Sequence, residues 1–127
     1  MPDLSQSIAD YVASWNETDP NRRAELLASV WQEDCRYVDT MTEVHGREQI
    51  EAMIAAVQQQ LPGGTLSLIG EVQFHHDVAT FRWQLVPAGG PPLATGLDFA
   101  LFGTDGRLRQ IVGFWDPQPS PDGPPSD

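Results

Sequence analysis

Apolar positions recur every three to four residues in three early stretches of the chain and every two residues in its later half. Ile8, Tyr11, Val12 and Trp15 fall on one helical face, which predicts a first helix over residues 5–17. Asp19-Pro20 has the form of a helix start, with Asp as N-cap and Pro at the first helical position. Leu26, Leu27, Val30 and Trp31 form the stripe of this second helix, which should end around residues 32–34. A third helix is expected over 46–60, with Ile50, Met53, Ile54 and Val57 inward, stopped by Leu61-Pro62-Gly63-Gly64.

Between the second and third helices, residues 35–39 read as a short strand with Cys35, Tyr37 and Asp39 on one face. Asp39 closes it, and a carboxylate there commonly caps a turn. The loop 40–45 follows. After the third helix the period is two. Strands are expected over 65–74, 78–86, 93–102 and 107–116, separated by the turn His75-His76-Asp77, the loop 87–92 and the hairpin turn Gly103-Thr104-Asp105-Gly106. In the strand 78–86, Phe81 and Trp83 face one way and Arg82 the other. This order of elements describes one α+β domain over residues 1–116, with a curved, mainly antiparallel sheet wrapping three helices and enclosing a pocket. Residues 117–127 have no apolar side chain to bury and should be a disordered or extended tail.

One residue breaks the pattern. Asp98 lies in a strand apolar on both faces, sharing its own face with Ala94, Gly96, Ala100 and Phe102. A carboxyl group there must find hydrogen-bond partners or take up a proton. Two readings stay open: an acid at the bottom of a ligand cavity, or a structural Asp tied to backbone or to an Arg. Gly96 and Gly113, on the inferred concave side, would ease strand bending or open space for a ligand. The opposite face, Leu93 to Leu101 in alternation, suggests a partner surface and hence a homodimer.

Charge narrows the partners. The net charge is −11, with seven Arg and no Lys. Nucleic acid and anionic membrane surfaces are thereby disfavoured, and a Schiff-base lysine is excluded. No apolar run is long enough to cross a bilayer, and no signal peptide is evident, so a cytoplasmic location is expected. An apolar or neutral small molecule is the partner class that remains. No metal site and no cofactor are expected: His75, His76 and Asp77 are adjacent in a tight turn and should point apart, and His45 should cap or face solvent. Cys35, the only cysteine, reads as a buried, inert thiol.

Four stretches, Tyr11-Val12-Ala13-Ser14-Trp15-Asn16, Asp34-Cys35-Arg36-Tyr37-Val38-Asp39, Val44-His45-Gly46-Arg47-Glu48-Gln49-Ile50 and Leu97-Asp98-Phe99-Ala100-Leu101-Phe102 with Asp105-Gly106-Arg107-Leu108, resemble the nuclear-transport-factor-2-like superfamily. Within it the chain is similar to the SnoaL-like polyketide cyclases and the ketosteroid isomerases. The resemblance implies a cone-shaped fold and, for an isomerase-like enzyme, Asp39 as general base with Tyr11 and a protonated Asp98 as oxyanion donors. It implies pocket positions at Trp15, Tyr37, Phe81, Trp83, Ile111 and Trp115. Thr40 follows Asp39 where the family often has Pro, and Trp31 and Ile54 stand where some isomerases have supporting tyrosines. The superfamily also hosts cyclases, epoxide hydrolases and binding domains without catalysis. The hydrolases use an Asp-Arg-Asp arrangement, but strand parity points Arg36 and Arg82 away from the Asp98 face.

Overall fold

The computed structural model describes residues 4–117. Three helices, α1 (Leu4–Asn16), α2 (Pro20–Val30) and α3 (Arg47–Gln60), pack on one six-stranded mixed sheet that does not close. The strands are β1 (Trp31–Val38), β2 (Glu43–His45), β3 (Thr65–His75), β4 (Val78–Val86), β5 (Ala94–Phe102) and β6 (Leu108–Trp115). Their order in the sheet is β2-β1-β6-β5-β4-β3. The β3 to β6 segment is an antiparallel meander, and β1 joins it by pairing parallel to β6. This is the α+β cone expected from the pattern of elements. The proline-rich segment from residue 118 onward lies outside the described residues.

Asp19 caps α2 as expected, its side chain accepting the Asn21 N–H at 3.0 Å with Pro20 in the first turn. The chain then departs from the helical reading. Val30 is the last residue of α2, and Trp31 already belongs to β1. Trp31, Cys35 and Tyr37 share one parity and are all buried, and the pairing with β6 shifts register between Trp31 and Arg36. The three-residue strand β2, which no periodicity could announce, pairs with β1 and leads directly into α3.

The helices cover one end of the inner sheet face. Ile8, Leu27, Ile50 and Ile54 meet Phe102, Leu108 and Ile111 there in one core. Asn16 fixes the end of α1 to β3 by a reciprocal pair, donating to the Leu66 carbonyl at 2.8 Å and accepting the Leu66 N–H at 2.7 Å. Arg23 of α2 is buried and holds the helical layer together. It bonds Glu51 and Gln58 of α3 and the Glu17 carbonyl, and Gln58 reaches the Trp15 and Glu17 carbonyls at the end of α1. With one end of the cone plugged, the other end of the inner face stays open.

Candidate functional site

On β5 the inward residues Ala94, Gly96, Asp98, Ala100 and Phe102 are all buried, and Asp98 retains 4% exposure. Its neighbours across the sheet are Phe81 on β4 and Gly113 on β6. Trp83 stands opposite Gly96 and lays its indole over that glycine: a Cβ at position 96 would collide with Trp83 Cζ2. The ring thereby reaches Asp98, and its Nε1–H donates to Asp98 Oδ1 at 2.9 Å. Gly113 plays the matching part on the other side, since a Cβ there would lie 2.6 Å from the same Oδ1. The two glycines make room for a tryptophan ring and a carboxyl group of the protein itself, where the sequence left open strand bending or space for a ligand.

Burial pushes the Asp98 carboxyl up to about 7; the Trp83 N–H pulls it back, the negative charge of Asp39 raises it further, and the Tyr11 hydroxyl lowers it. Among the described residues no Arg acts on it, so the ion-paired structural reading of Asp98 does not hold. Arg36 pairs with Glu43 and Arg82 with Asp116, both at partly exposed positions away from this face.

Tyr11 enters from α1, buried and edge-on to Trp31 and Phe81 at ring distances of 6.0 and 5.9 Å. Burial, then the charge of Asp98, holds its phenol well above the ordinary range, so it remains a neutral donor. The Trp15 indole N–H is buried without a hydrogen-bond partner, and its influence partly offsets the rise of the Tyr11 phenol.

Asp39 follows β1 and does two things at once. Its Oδ1 accepts the N–H groups of Met41 and Thr42, each at 2.9 Å, which is the turn-capping role. Its Oδ2 accepts the Tyr37 hydroxyl at 2.6 Å and, more loosely, the Trp115 indole N–H at 3.4 Å. Burial first, and then the negative charges around it, keep the Tyr37 phenol well above its usual value, so it too is a neutral donor.

Tyr11, Asp39 and Asp98 all line one cavity of about 660 Å³. Trp15, Tyr37, Trp83 and Trp115 line it as well. Phe81 and Ile111 do not. Phe81 is covered by the Tyr11 ring, and Ile111 is fully buried in the core with Ile8, Leu27 and Ile54, because the helices already fill the inner face there. Sequence reasoning missed the α3 wall, made by Gln49, Ala52, Met53 and Ala56. The small residues Ala52 and Ala56, four apart on one helix face, were the available signal. Met41 and Leu93, 77% and 54% exposed, flank the mouth. Among the described residues no Arg lines the cavity, and its two carboxyl groups make it unfavourable for anions.

The other candidates lie elsewhere. Cys35 is buried, and its thiol is raised chiefly by burial, as an inert cysteine should be. His45 is exposed and contacts Glu43. His75 and His76 do not point apart as a tight turn suggested. His76 adopts a left-handed conformation, with φ of 53°, and brings its Nδ1 to 3.3 Å from that of His75. Among the described residues no group of three or more His, Cys, Asp or Glu is arranged to hold a metal ion.

A family model described as a SnoaL-like domain matches residues 8–111. No curated protein is similar enough in sequence to match. Among solved structures, a candidate isomerase of the SnoaL-like family from Agrobacterium tumefaciens str. C58 is 37% identical, with a TM-score of 0.84 over 88% of this chain and 96% of that one. An NTF2-like protein of unknown function from Exiguobacterium sp. 255-15 is 19% identical, with a TM-score of 0.70 over 88% and 99% of the two chains. A candidate polyketide cyclase from Sinorhizobium meliloti is 18% identical, with a TM-score of 0.68 over 89% and 94%. The last two are likenesses of fold alone. The family match and the first relative span most of the chain, including the elements that carry Tyr11, Asp39 and Asp98: the chain belongs to the SnoaL-like family.

Proposed function

We propose that this protein binds a neutral, largely apolar small molecule and transfers a proton next to its carbonyl group, without a cofactor, in the manner of a ketosteroid isomerase. The observation that carries this reading is the meeting of Tyr11, Asp39 and Asp98 in one apolar cavity. Such a reaction needs a base beside the substrate carbon and donors beside its oxygen. Tyr11 and neutral Asp98 are the donors, and their polarity suits a developing enolate. Asp39 is the base. Its Oδ1 is committed to the turn, so the proton goes to Oδ2, where the 3.4 Å contact from Trp115 is the easiest to give up. Tyr37 then holds the carboxylate in place.

The test is binding of 2-naphthol, a phenolic mimic of an enolate, followed by a screen of enones and ketosteroids. Saturable naphthol binding that weakens in Tyr11→Phe or Asp98→Asn, with isomerisation lost in Asp39→Asn, is the expected result. No binding by a folded protein would sink this reading and leave a non-catalytic ligand-binding or scaffold domain.

A second reading keeps the cavity and changes the chemistry. Both oxygens of Asp39 are engaged, whereas Asp98 is the carboxyl poised near neutrality. That favours Asp98 as the acid and base of a cyclase-type reaction, and loss of turnover in Asp98→Asn with turnover kept in Asp39→Asn would select it.

We also infer that two copies pair through the outer face of β5 and β6. Phe99 and Phe114 stack edge-on at 6.1 Å there and remain 39% and 57% exposed. Sedimentation should show a dimer that Phe114→Glu converts to monomer; a monomeric wild type would refute it.

A further inference from the structure

We propose that Trp83 is the positioning residue that decides which oxygen of Asp98 carries the acid proton. This rests on the reading of Asp98 as a donor to the ligand, and it concerns how that donor is aimed. An indole N–H can only donate, so the oxygen it touches must accept. Trp83 Nε1 holds Asp98 Oδ1 at 2.9 Å in a buried setting. The carbonyl oxygen of a neutral carboxyl accepts better than its hydroxyl oxygen, so this contact favours the proton on Oδ2. Oδ1 is also walled off by β6, where even a methyl group at position 113 would sit 2.6 Å away. The carboxyl thus has one closed edge, and Oδ2 is the oxygen left for the ligand.

The arrangement is built across three strands. Trp83 lies over Gly96, its register partner on β5, and Asp98 faces Gly113, its register partner on β6. A side chain at position 96 would displace the indole and a side chain at 113 would displace the carboxyl, so both contacts depend on glycine. The groups that act on Asp98 are Trp83 from β4, Tyr11 from α1 and Asp39 following β1, and none is a cation. With no cation among them, the indole N–H is the strongest single influence that favours the ionised form.

The experiment follows the Asp98 carboxyl carbon and the Trp83 indole N–H by NMR across pH 4 to 9, in wild type and in Trp83→Phe. In wild type the indole proton should move downfield as Asp98 ionises, with the same midpoint, because a hydrogen bond to a charged acceptor is stronger. In Trp83→Phe the Asp98 midpoint should rise by about one pH unit, a tenfold change in ionisation. At pH 5.5, where Asp98 is neutral in both proteins, naphthol should bind about tenfold more weakly to the variant, since the proton is no longer fixed on Oδ2. An indole resonance that ignores the Asp98 titration would overturn the proposal in the wild-type protein alone, whatever the variant's folding. An unmoved Asp98 midpoint in a folded variant would overturn it as well. Failure of wild type to bind naphthol, with the coupled titration present, would instead count against the isomerase-like reading and leave the role of Trp83 intact.

Discussion

Replacing Asp98 with Asn should stabilise the protein at neutral pH, and by an amount that grows with pH. In the folded chain burial raises the carboxyl from 3.8 to about 7. The native state therefore holds a proton that the unfolded state has released throughout that interval. Stability must fall as pH rises from near 4 through 7, because the unfolded state binds fewer protons there. A tenfold difference in proton affinity between the two states corresponds to about 1.4 kcal/mol, so the full penalty for ionising Asp98 in place approaches ~4 kcal/mol above pH 8. Between pH 5 and pH 8 the penalty grows by about 2.5 kcal/mol by the same linkage. Asn has the same shape and cannot ionise. The assay is urea unfolding of wild type and Asp98→Asn at pH 5, 6, 7 and 8. The difference between the two proteins cancels the background from the other seventeen acidic groups, given the total of 18. That difference should drift by about 2–3 kcal/mol in favour of Asn over the range. A constant gap would refute the reasoning, since it would mean that Asp98 ionises alike in the folded and unfolded states.

Gly113→Ala places a methyl 2.6 Å from Asp98 Oδ1, and should cost about 1–3 kcal/mol by urea unfolding and weaken naphthol binding; full stability with unchanged binding would show that the carboxyl has room to move. Arg23→Leu leaves Glu51, Gln58 and the Glu17 carbonyl without their buried partner and should destabilise by about 3 kcal/mol; a loss under ~1 kcal/mol would mean the pair is no better than a surface one. Tyr37→Phe removes the 2.6 Å bond to Asp39, and should slow any Asp39-dependent isomerisation about tenfold while leaving naphthol affinity within twofold; equal loss of both would place Tyr37 at the ligand oxygen instead.

The helices and the strands β3 to β5 are legible in the sequence because their apolar side chains obey one period over eight or more residues, whereas β6 changes parity between Leu108 and Ile111. Trp31 reads as helical because the spacing of Leu27, Val30 and Trp31 suits a helix, and only pairing with β6 shows that the chain has already turned into a strand. β2 is too short to carry a period. Arg23 looks like any exposed Arg on a helix until α1 and α3 close around it. The family resemblance points to Tyr11, Asp39 and Asp98, and the alternation of β5 alone marks Asp98 as a carboxyl in an apolar strand. Phe81 and Ile111 share the inward parity of the pocket residues, but parity does not say how far along the sheet the helices reach.

Local pattern by itself therefore determined the order of the three helices and the five longer strands, their inward faces and the presence of one misplaced acid, because these follow from bonds between near neighbours in sequence. The surroundings of that acid were decided by residues distant in the chain. Trp83, Gly96 and Gly113 bear on Asp98 only through strand register, and register is set by the packing of the whole sheet against its helices. The cavity likewise exists because α1, α2 and α3, tied to one another by Arg23 and Gln58 and to β3 by Asn16, cover one end of the sheet and leave the other open. A carboxyl near neutrality is the result of that enclosure, since desolvation is a property of the surroundings and not of the residue.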